Sequence, residues 1–494
     1  MTKQVAVIGA GLGGISAAIS LATEGYSVDL FEKNPQIGGK LNVMKTAGYS
    51  FDLGPSILIL PHIFQRLFTR AGKRMEDYVA IEELKPHWRN FFEDGTVLDL
   101  HPDARIMERE LAKLSPEASD GFFAYLDYSR RLWKFSEEAY FTRGADRLRD
   151  VIKGYCPLEL LRRADPFHTM AQGVNRRVKD PHLRTILGFF IKYVGSSAKD
   201  APAIYNLMAY SQFGYGLWYV TGGMYNLALG LGRLLQDVGV RLHLNAEVTG
   251  IKTQGGKAVG VTLNGGGDVP ADIVVSNMEV IPAYKRLLRE QGPMLPRYEK
   301  KFEPSCSGLV LHIGLDRQYP QLAHHNFVFA RDQALHYEMV YRRKQLPDDP
   351  TIYLVAPTRT DKTLAPPGHE ILKLLPHIPH IQDTPVPRAA YEALKEKLYL
   401  KLERIGLENL RQHIVFEDML VPEDLQRMYY SNRGSIYGVV ADWRKNLGFR
   451  APKRSELYKN LYFVGGSVNP GGGMPMVVYS GQMVRDMVVQ DHER

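Results

Sequence analysis

The chain begins with a short apolar run that is typical of a buried strand. Residues 4–8 read QVAVI, and residues 15–25, ISAAISLATEG, follow with the apolar spacing of a helix that ends at Gly25. A second apolar run, VDLFEK, lies at residues 28–33. This order predicts one βαβ unit, which is the form expected of a parallel sheet.

The pattern of apolar positions changes several times farther along. From about residue 90 to 220 it is helical and rich in aromatic residues, and strand-like segments dominate about 240–276 and 305–380. NLYFVGGS at 460–467 indicates another buried strand, and MVVYSGQMVRDMVV at 476–489 has helical periodicity. We therefore predict two domains that the chain crosses more than once.

Composition and charge exclude some classes of protein. The 494 residues carry a net charge of +8 without a long run of lysine and arginine, so we predict no nucleic-acid partner. The same charge suits an anionic membrane surface. Two cysteines cannot form a disulfide framework, which favours a reducing, intracellular setting. We predict neither a signal peptide nor a membrane-spanning helix.

A glycine motif joins the first strand to the first helix. Gly9, Gly11 and Gly14 match the pattern G-x-G-x-x-G, which lets the pyrophosphate of a dinucleotide approach the backbone at a helix N-terminus. Glu32 ends the second strand, where a carboxylate can accept hydrogen bonds from ribose hydroxyls. The alternative is a glycine-rich turn in a purely structural βαβ unit. The complete set favours a dinucleotide site.

The residues after the second strand, NPQIGGKLNV at 34–43, extend this motif with a second glycine pair. The pair resembles that of FAD-dependent amine oxidases and carotenoid desaturases. In that family an arginine usually follows, and here Lys40 keeps the charge but lacks the planar fork of arginine. The resemblance implies a phosphate contact for Lys40, and a surface lysine beside a turn is the alternative.

The C-terminal segment VGGSVNPGGGMPMVV, residues 464–478, holds a second glycine-rich loop. In the same family such a loop returns to the flavin and leads into a helix whose N-terminus points at the ring, where it stabilises the reduced anion. The resemblance thus implies FAD as cofactor. It also implies that seven further residues bind FAD: Gly39, Lys40, Gly54, Val248, Gly466, Gly473 and Met474.

The resemblance covers nearly the whole chain. The sequence is similar to phytoene-desaturase-type carotenoid flavoenzymes. GYSFDLGPSILILP (48–61), YVTGGMYNLALGL (219–231) and DIVVSNMEV (272–280) are the segments that carry it. The final loop has Asn469 where desaturases of this group usually have histidine. With IKYVGSS (191–197) and SNRGSIYGVV (431–440), this resembles the branch of oxygenases acting on 4,4'-diaponeurosporene or 4,4'-diapolycopene.

The resemblance implies an FAD-dependent oxidoreductase that oxidises terminal methyl groups of a C30 carotenoid to aldehydes, with molecular oxygen as a partner. Three alternatives stay open: a C30 carotenoid desaturase, a non-catalytic carotenoid-binding flavoprotein, and an amine oxidase. Asn469 is the predicted catalytic residue, with turn formation as its alternative role. For Tyr437 and Arg433 we expect contact either with the flavin or substrate or with buried structural partners.

The implied fold class is α/β, with a Rossmann-like FAD-binding domain interleaved with an α+β substrate domain. The predicted FAD-binding domain comprises residues 1–88, 222–290 and 420–494. The predicted substrate domain comprises residues 89–221 and 291–419. A homo-oligomer or a complex with other carotenoid enzymes is the expected form of assembly.

A long apolar substrate requires a tunnel and access from a bilayer, so we expect a peripheral protein on the cytoplasmic face of a membrane. In the segment 58–74, Ile63, Phe64, Leu67 and Phe68 share one helical face, which suits either a membrane surface or the protein's own core. The aromatic residues of 188–194 and 213–220 line a tunnel or belong to the core.

Two histidine pairs raise the question of a metal. His324 and His325 are adjacent, and His377 and His380 lie in a segment whose prolines forbid helical display of both rings on one face. An iron oxygenase site needs two histidines and a carboxylate in convergent geometry. We therefore predict no metal.

Overall fold

The computed structural model describes residues 2–142, 144–153 and 155–492, with residue 157 described by its backbone alone. Residues 1, 493 and 494, at the outer limits of the predicted FAD-binding domain, lie outside the described residues. Residues 143 and 154, in the predicted substrate domain, lie outside them as well.

Strands occur along most of the described chain. In chain order they are β1 (Gln4–Ile8), β2 (Ser27–Phe31), β3 (Val43–Thr46), β4 (Tyr49–Asp52), β5 (Ile81–Glu83), β6 (Trp88–Phe91), β7 (Val97–Leu100), β8 (Trp218–Val220), β9 (Arg241–His243), β10 (Val248–Gln254), β11 (Lys257–Leu263), β12 (Asp268–Pro270), β13 (Ile273–Ser276), β14 (Ser307–Gly308), β15 (Val310–Leu315), β16 (His325–Val328), β17 (Ile352–Val355), β18 (Glu370–Ile378), β19 (Ile414–Leu420) and β20 (Leu461–Phe463).

The α-helices concentrate between residues 100 and 215 and at the C-terminal end. In chain order they are α1 (Leu12–Ala22), α2 (Pro61–Arg70), α3 (Ala104–Leu111), α4 (Ala118–Ser136), α5 (Leu148–Ile152), α6 (Pro157–Ala164), α7 (Met170–Asn175), α8 (Pro181–Phe189), α9 (Leu207–Phe213), α10 (Tyr225–Asp237), α11 (Val280–Arg286), α12 (Met294–Lys301), α13 (Gln333–Tyr337), α14 (Arg388–Arg404), α15 (Pro422–Tyr429) and α16 (Met474–His492). Helix α4 continues into a π-helical turn at Glu137–Phe141.

A parallel sheet holds the two ends of the chain together. Among the described residues its strand order is β20–β13–β1–β2–β9, and every neighbouring pair is parallel. Val5 and Val7 of β1 face one buried cluster, while Ala6 and Ile8 face another, so both faces of the sheet are covered. The continuous apolar run of β1 is what such a strand requires.

A larger mixed sheet forms the second layered unit. Its order is β19–β15–β18–β17–β16–β6–β7, with β14 also paired to β18. Strands β15 and β18 are buried along nearly their whole length, and α14 packs on the same apolar cluster. The strands of the parallel sheet lie in segments predicted for the FAD-binding domain, but the domain boundaries themselves stay a prediction.

Helix α2 does not present its apolar face outward. Ile63, Phe64, Leu67 and Phe68 are at most 4% exposed, and they belong to the same core as α1 and α16. The Gln482 side-chain amide of α16 donates to the Ile63 carbonyl oxygen at 2.9 Å. Of the two interpretations of this helix, packing on the protein's own core is therefore the correct one. No helix within the described ranges has both the length and the apolar character to span a bilayer.

Candidate active site

The first glycine turn is packed so tightly that side chains would not fit. Gly9 has a φ of +89°, and its N–H donates to the Phe31 carbonyl at 2.7 Å. A Cβ on Gly14 would lie 2.0 Å from the Gly9 carbonyl oxygen, and one on Gly11 would lie 2.6 Å from the Asn277 amide. Helix α1 starts directly after this turn, with Gly11 as its N-cap. The free backbone N–H groups at the start of α1 are therefore not covered by side chains of these glycines.

Glu32 stands at the end of β2, beside this turn. Its carboxylate accepts hydrogen bonds from the backbone N–H of Ala10 at 2.8 Å and of Asn34 at 3.0 Å. The side chain is 5% exposed and lines the main cavity. The carboxylate is thus held in a fixed orientation with acceptor capacity left for a hydroxyl group.

The second glycine pair contacts the first. Gly38 and Gly39 have φ values of +108° and +59°, and the Gly38 N–H donates to the Ala10 carbonyl at 2.8 Å. A Cβ on Gly39 would lie 3.0 Å from the Gly11 Cα. The two turns therefore form one backbone surface.

Lys40 lies at the edge of the cavity. Its ammonium donates to the Ser435 carbonyl at 3.0 Å and lies 3.5 Å from the Glu279 carboxylate. Burial raises the pKa of Glu279, and the Lys40 charge opposes that shift. The amine is thus half-exposed and already paired inside the protein. Its predicted phosphate contact stays a prediction.

The C-terminal loop reaches the same place. Strand β20 pairs with β13, next to β1, and a Cβ on Gly13 would lie 3.0 Å from the Gly465 nitrogen. The Gly465 N–H donates to the Ser480 hydroxyl at 2.9 Å, which fixes the loop on α16. Gly466 and Gly473 line the cavity together with Met474, the first residue of α16. The N-terminus of α16 therefore opens into the same space as that of α1.

Asn469 is buried in this loop but does not line the cavity. Its side-chain oxygen accepts hydrogen bonds from the Tyr140 hydroxyl at 2.7 Å and the Arg450 N–H at 3.0 Å. Its nitrogen donates to the Asp146 and Arg450 carbonyls at 3.1 and 3.3 Å. The whole amide is engaged in holding the loop. These contacts favour the structural alternative, and the catalytic role stays a prediction.

One cavity of about 670 Å³ connects these elements. Gly54 and Val248 line it, beside the glycine turns. Away from the turns its wall is mainly apolar and aromatic, and includes Trp133, Phe135, Phe141, Leu148, Tyr193, Ile204, Tyr205, Leu207, Met208, Tyr353, Leu375, Tyr437, Trp443, Leu447 and Phe449. Of the predicted tunnel segment 188–194, Tyr193 and Val194 line the cavity. Residues 213–220 do not contribute to the part of the wall that the structure describes.

Tyr437 and Arg433 point in different directions. Tyr437 lines the cavity, and burial raises the pKa of its phenol, so the hydroxyl stays protonated. The Arg433 guanidinium instead lies 3.0 Å from the Asp383 carboxylate, with its side chain 45% exposed. Of these two residues, only Tyr437 can contact a molecule in the cavity.

Sequence reasoning missed Lys373, a buried lysine on β18. Its amine donates to the Gly54 carbonyl and to the Ser56 hydroxyl, and it lines the cavity. Burial lowers the pKa of Lys373 to about 8, and the nearby Asp52 opposes that shift. Burial also raises the pKa of Asp52 to about 6. The signal in the sequence was a lone lysine in the apolar run EILKLLPHI, which is uncommon in a buried strand.

The four histidines considered for a metal are all buried. Burial lowers the pKa of His324 and of His377 to about 3, and that of His380 to about 4. The His325 ring bonds to the Tyr353 hydroxyl at 3.1 Å, and His324 to Thr360 at 2.8 Å. Among the described residues, no group of three or more histidine, cysteine or acidic side chains is placed to hold a metal.

Comparison with known proteins identifies the family. The sequence profile of the flavin containing amine oxidoreductases matches residues 12–484. The chain belongs to this family. The 4,4'-diapolycopene oxygenase of Methylomonas sp is 58% identical over 490 residues, covering 99% of this chain and 98% of the relative. The 4,4'-diaponeurosporene oxygenase of Staphylococcus aureus (strain Mu50 / ATCC 700699) is 51% identical over 488 residues, with 99% and 98% coverage.

A solved structure of another protein has the same fold as this chain. A putrescine oxidase redesigned in cofactor binding has a TM-score of 0.67 and 15% identity, and each chain is covered to 99%. The predicted α/β fold class, the carotenoid flavoenzyme resemblance and FAD as cofactor are confirmed by these findings. The chain is an FAD-dependent oxidoreductase.

Proposed function

We propose that the chain converts terminal methyl groups of a C30 carotenoid, 4,4'-diaponeurosporene or 4,4'-diapolycopene, to aldehydes. Full-length identity of 58% and 51% to oxygenases named for these carotenoids supports this substrate class. The structural observation that carries it is the continuous cavity, which starts at the paired glycine turns and proceeds between apolar and aromatic side chains. A linear polyene requires such a passage, because its whole length is apolar.

The residues present fit FAD. A Cβ at Gly11 would collide with the Asn277 amide and one at Gly39 would crowd Gly11, so only glycines let the two turns pack together. Backbone without side chains at these positions would let a pyrophosphate approach. Glu32 would accept a hydrogen bond from a ribose hydroxyl. The N-terminus of α16, at Met474, would face the flavin with positive partial charge. When bound, FAD supplies the redox chemistry.

The protein's own side chains would orient the substrate end and control protons. Tyr193, Tyr353 and Tyr437 line the cavity, and burial raises the pKa of each phenol, so all three stay neutral at physiological pH. The Tyr193 hydroxyl donates to the Gln212 side-chain oxygen at 3.0 Å, and the Tyr353 hydroxyl bonds to the His325 ring at 3.1 Å. Tyr437 is therefore the phenol of the three that is best placed to donate a hydrogen bond to an aldehyde oxygen without placing a charge beside the polyene. Lys373, with a pKa of about 8, can hold or release a proton at the same wall.

Isotope labelling tests the reaction. The proposed stoichiometry for each end is R–CH₃ + O₂ → R–CHO + H₂O, so molecular oxygen is both the oxidant and the source of the aldehyde oxygen. Holoenzyme supplied with a C30 polyene under ¹⁸O₂ should give a product that gains one labelled oxygen and loses two hydrogens. A product that only loses hydrogens would support a desaturase instead. An unchanged polyene would support a carrier.

We also propose that the protein works as a peripheral protein on the cytoplasmic face of a membrane, because its substrate dissolves in acyl chains. The positive net charge of the chain supports attraction to anionic lipids. Assembly into a homo-oligomer or with other carotenoid enzymes stays a prediction.

A further inference from the structure

Large apolar side chains are exposed on two neighbouring segments of the described chain, residues 148–167 and 443–447. Phe167 is 73% exposed and Leu158 56%, although an apolar residue of this size is usually covered. We name the set the apolar rim. Its members are Leu148, Ile152, Leu158, Leu161, Phe167, Trp443 and Leu447.

Part of the apolar rim borders the mouth of the cavity. Leu148, Trp443 and Leu447 are each at least 38% exposed and also line the cavity, so the cavity reaches the surface between them. The Trp443 indole N–H donates to the Pro166 carbonyl at 3.1 Å, which joins the two segments. Exposed apolar surface and cavity wall are therefore continuous.

Helix α6 carries apolar residues that do not pack on the core of the protein. Leu160 and Ala164 pack inward on the small cluster formed by Phe135, Ala139, Ala145 and Val151. Leu158 and Leu161, one turn apart, are 56% and 45% exposed. An amphipathic helix with an uncovered apolar side is suited to lie in the interface of a bilayer.

Positive charge accompanies this surface. Lys153, Arg162 and Arg444 are exposed within the two segments, and none has a salt-bridge partner among the described residues. Each such charge near an anionic lipid surface adds attraction, and the apolar side chains add burial in the headgroup region. Both features sit at the same end of the cavity.

We propose that the apolar rim docks on an anionic lipid bilayer and places the cavity mouth among the acyl chains. A long apolar molecule then enters the cavity without passing through water. A protein partner seated on the rim would close the mouth, so the continuity of rim and cavity favours a lipid surface. The identity of the entering molecule rests on the proposed function, whereas the docking surface does not.

Vesicle binding of the holoenzyme tests the proposal. The triple variant Leu158→Ser, Leu161→Ser, Phe167→Ser changes rim residues that do not line the cavity. The matched control Leu335→Ser, Leu400→Ser, Val415→Ser changes side chains that are 48%, 46% and 52% exposed on other elements. On vesicles of phosphatidylglycerol and phosphatidylcholine, the rim variant should bind about tenfold or more weakly than the wild type, and the control should bind like the wild type.

A charge variant separates the two contributions. Lys153→Glu, Arg162→Glu, Arg444→Glu should weaken binding to vesicles that contain phosphatidylglycerol and leave binding to pure phosphatidylcholine unchanged. Equal binding of wild type and rim variant to the anionic vesicles overturns the proposal. A wild-type dimer in light scattering that the rim variant converts to monomer also overturns it, because a second copy then covers the rim.

Activity on detergent-dispersed polyene separates this proposal from the proposed function. The rim variant should oxidise dispersed substrate at the wild-type rate per bound flavin, since its cavity is unaltered. Loss of vesicle binding with retained turnover supports the docking surface. Absence of oxygen incorporation in the wild type, the rim variant and the matched control contradicts the proposed function, while the vesicle comparison still decides the docking surface.

Discussion

Gly13 of the first helix and Gly465 of the last loop meet so closely that a Cβ on Gly13 would lie 3.0 Å from the Gly465 backbone nitrogen. Behind this contact, a Cβ on Gly481 of α16 would lie 2.6 Å from the Ala17 nitrogen of α1. The Ser16 hydroxyl also donates to the Val478 carbonyl at 2.5 Å. Residues more than 450 positions apart thus build one surface. This contact explains why a loop without reactive side chains lies close to the end of the chain.

Gly14→Ala should disrupt that surface. The added Cβ would lie 2.0 Å from the Gly9 carbonyl oxygen, which is backbone and has to move. We expect loss of bound FAD and destabilisation by about 1–3 kcal/mol, as for other overpacked sites. The flavin absorbance per protein and the melting temperature measure both effects.

Gly188→Ala is the matched control for this substitution. Gly188 lies in α8, and a Cβ there meets nothing within 4 Å. It should keep full FAD content and gain stability by about 1 kcal/mol, because alanine favours a helix interior. Full FAD retention in the Gly14 variant would contradict the close-packed turn.

Glu32→Ala should weaken FAD binding. The substitution removes the acceptor for the backbone N–H groups of Ala10 and Asn34 and for a ribose hydroxyl. We expect the dissociation constant for FAD to rise by about tenfold to a hundredfold, because bonds to a charged acceptor are lost. Flavin fluorescence titration of apoprotein measures it, with Glu82→Ala on an exposed strand position as the control. An unchanged dissociation constant would show that Glu32 only holds the turn and does not bind FAD.

The sequence was sufficient to predict the site at the glycine turns because local chemistry determines it. Gly9, Gly11 and Gly14 follow a strand and open a helix, so their spacing fixes where backbone N–H groups are free. The strand predicted at residues 4–8 is the observed β1.

The environment of helix α2 and the role of Lys373 were not accessible in the same way. An apolar helical face is identical whether it covers a core or a membrane, and only the packing of α2 against α16 distinguishes the two. Lys373 comes close to Gly54 through the pairing of distant strands. No local pattern encodes that proximity.

Substitution of the buried Lys192 tests the energetic effect of burying an amine. Its ammonium nitrogen lies 3.6 Å from the Trp88 ring centroid, 4.1 Å from that of Phe327 and 4.2 Å from that of Tyr353. The side chain is 4% exposed, and burial lowers its pKa well below the ordinary value. Lys192→Met should therefore raise the melting temperature at pH 7, because methionine fills the same space without desolvating an amine.

The pH dependence of Lys192 follows from the same shift. Because its pKa is depressed in the folded state, unfolding takes up a proton between the folded pKa and the ordinary value of 10.5. Stability from this group then rises with pH across that window, by about 1.4 kcal/mol per pH unit. Lys192→Met should remove this slope, and the exposed Lys199→Met should keep it. A lower melting temperature for Lys192→Met at pH 7 would show that the rings hold a cation.

Substitution of Asn469 distinguishes a structural from a catalytic role for this residue of the final loop. Asn469→Ala leaves four partner groups without their hydrogen bonds, on Tyr140, Asp146 and both backbone groups of the buried Arg450. We expect destabilisation by about 2–4 kcal/mol and a lower FAD content, because unsatisfied buried groups are costly.

Turnover per bound flavin separates the two roles of Asn469. If the amide only holds the loop, Asn469→Ala enzyme that still carries FAD should oxidise substrate at close to the wild-type rate. Tyr140→Phe removes one of the same bonds from the other side and should give a smaller loss of stability with the same unchanged turnover. A fully flavinated Asn469→Ala enzyme with turnover reduced by about a hundredfold would instead place the amide in the chemistry.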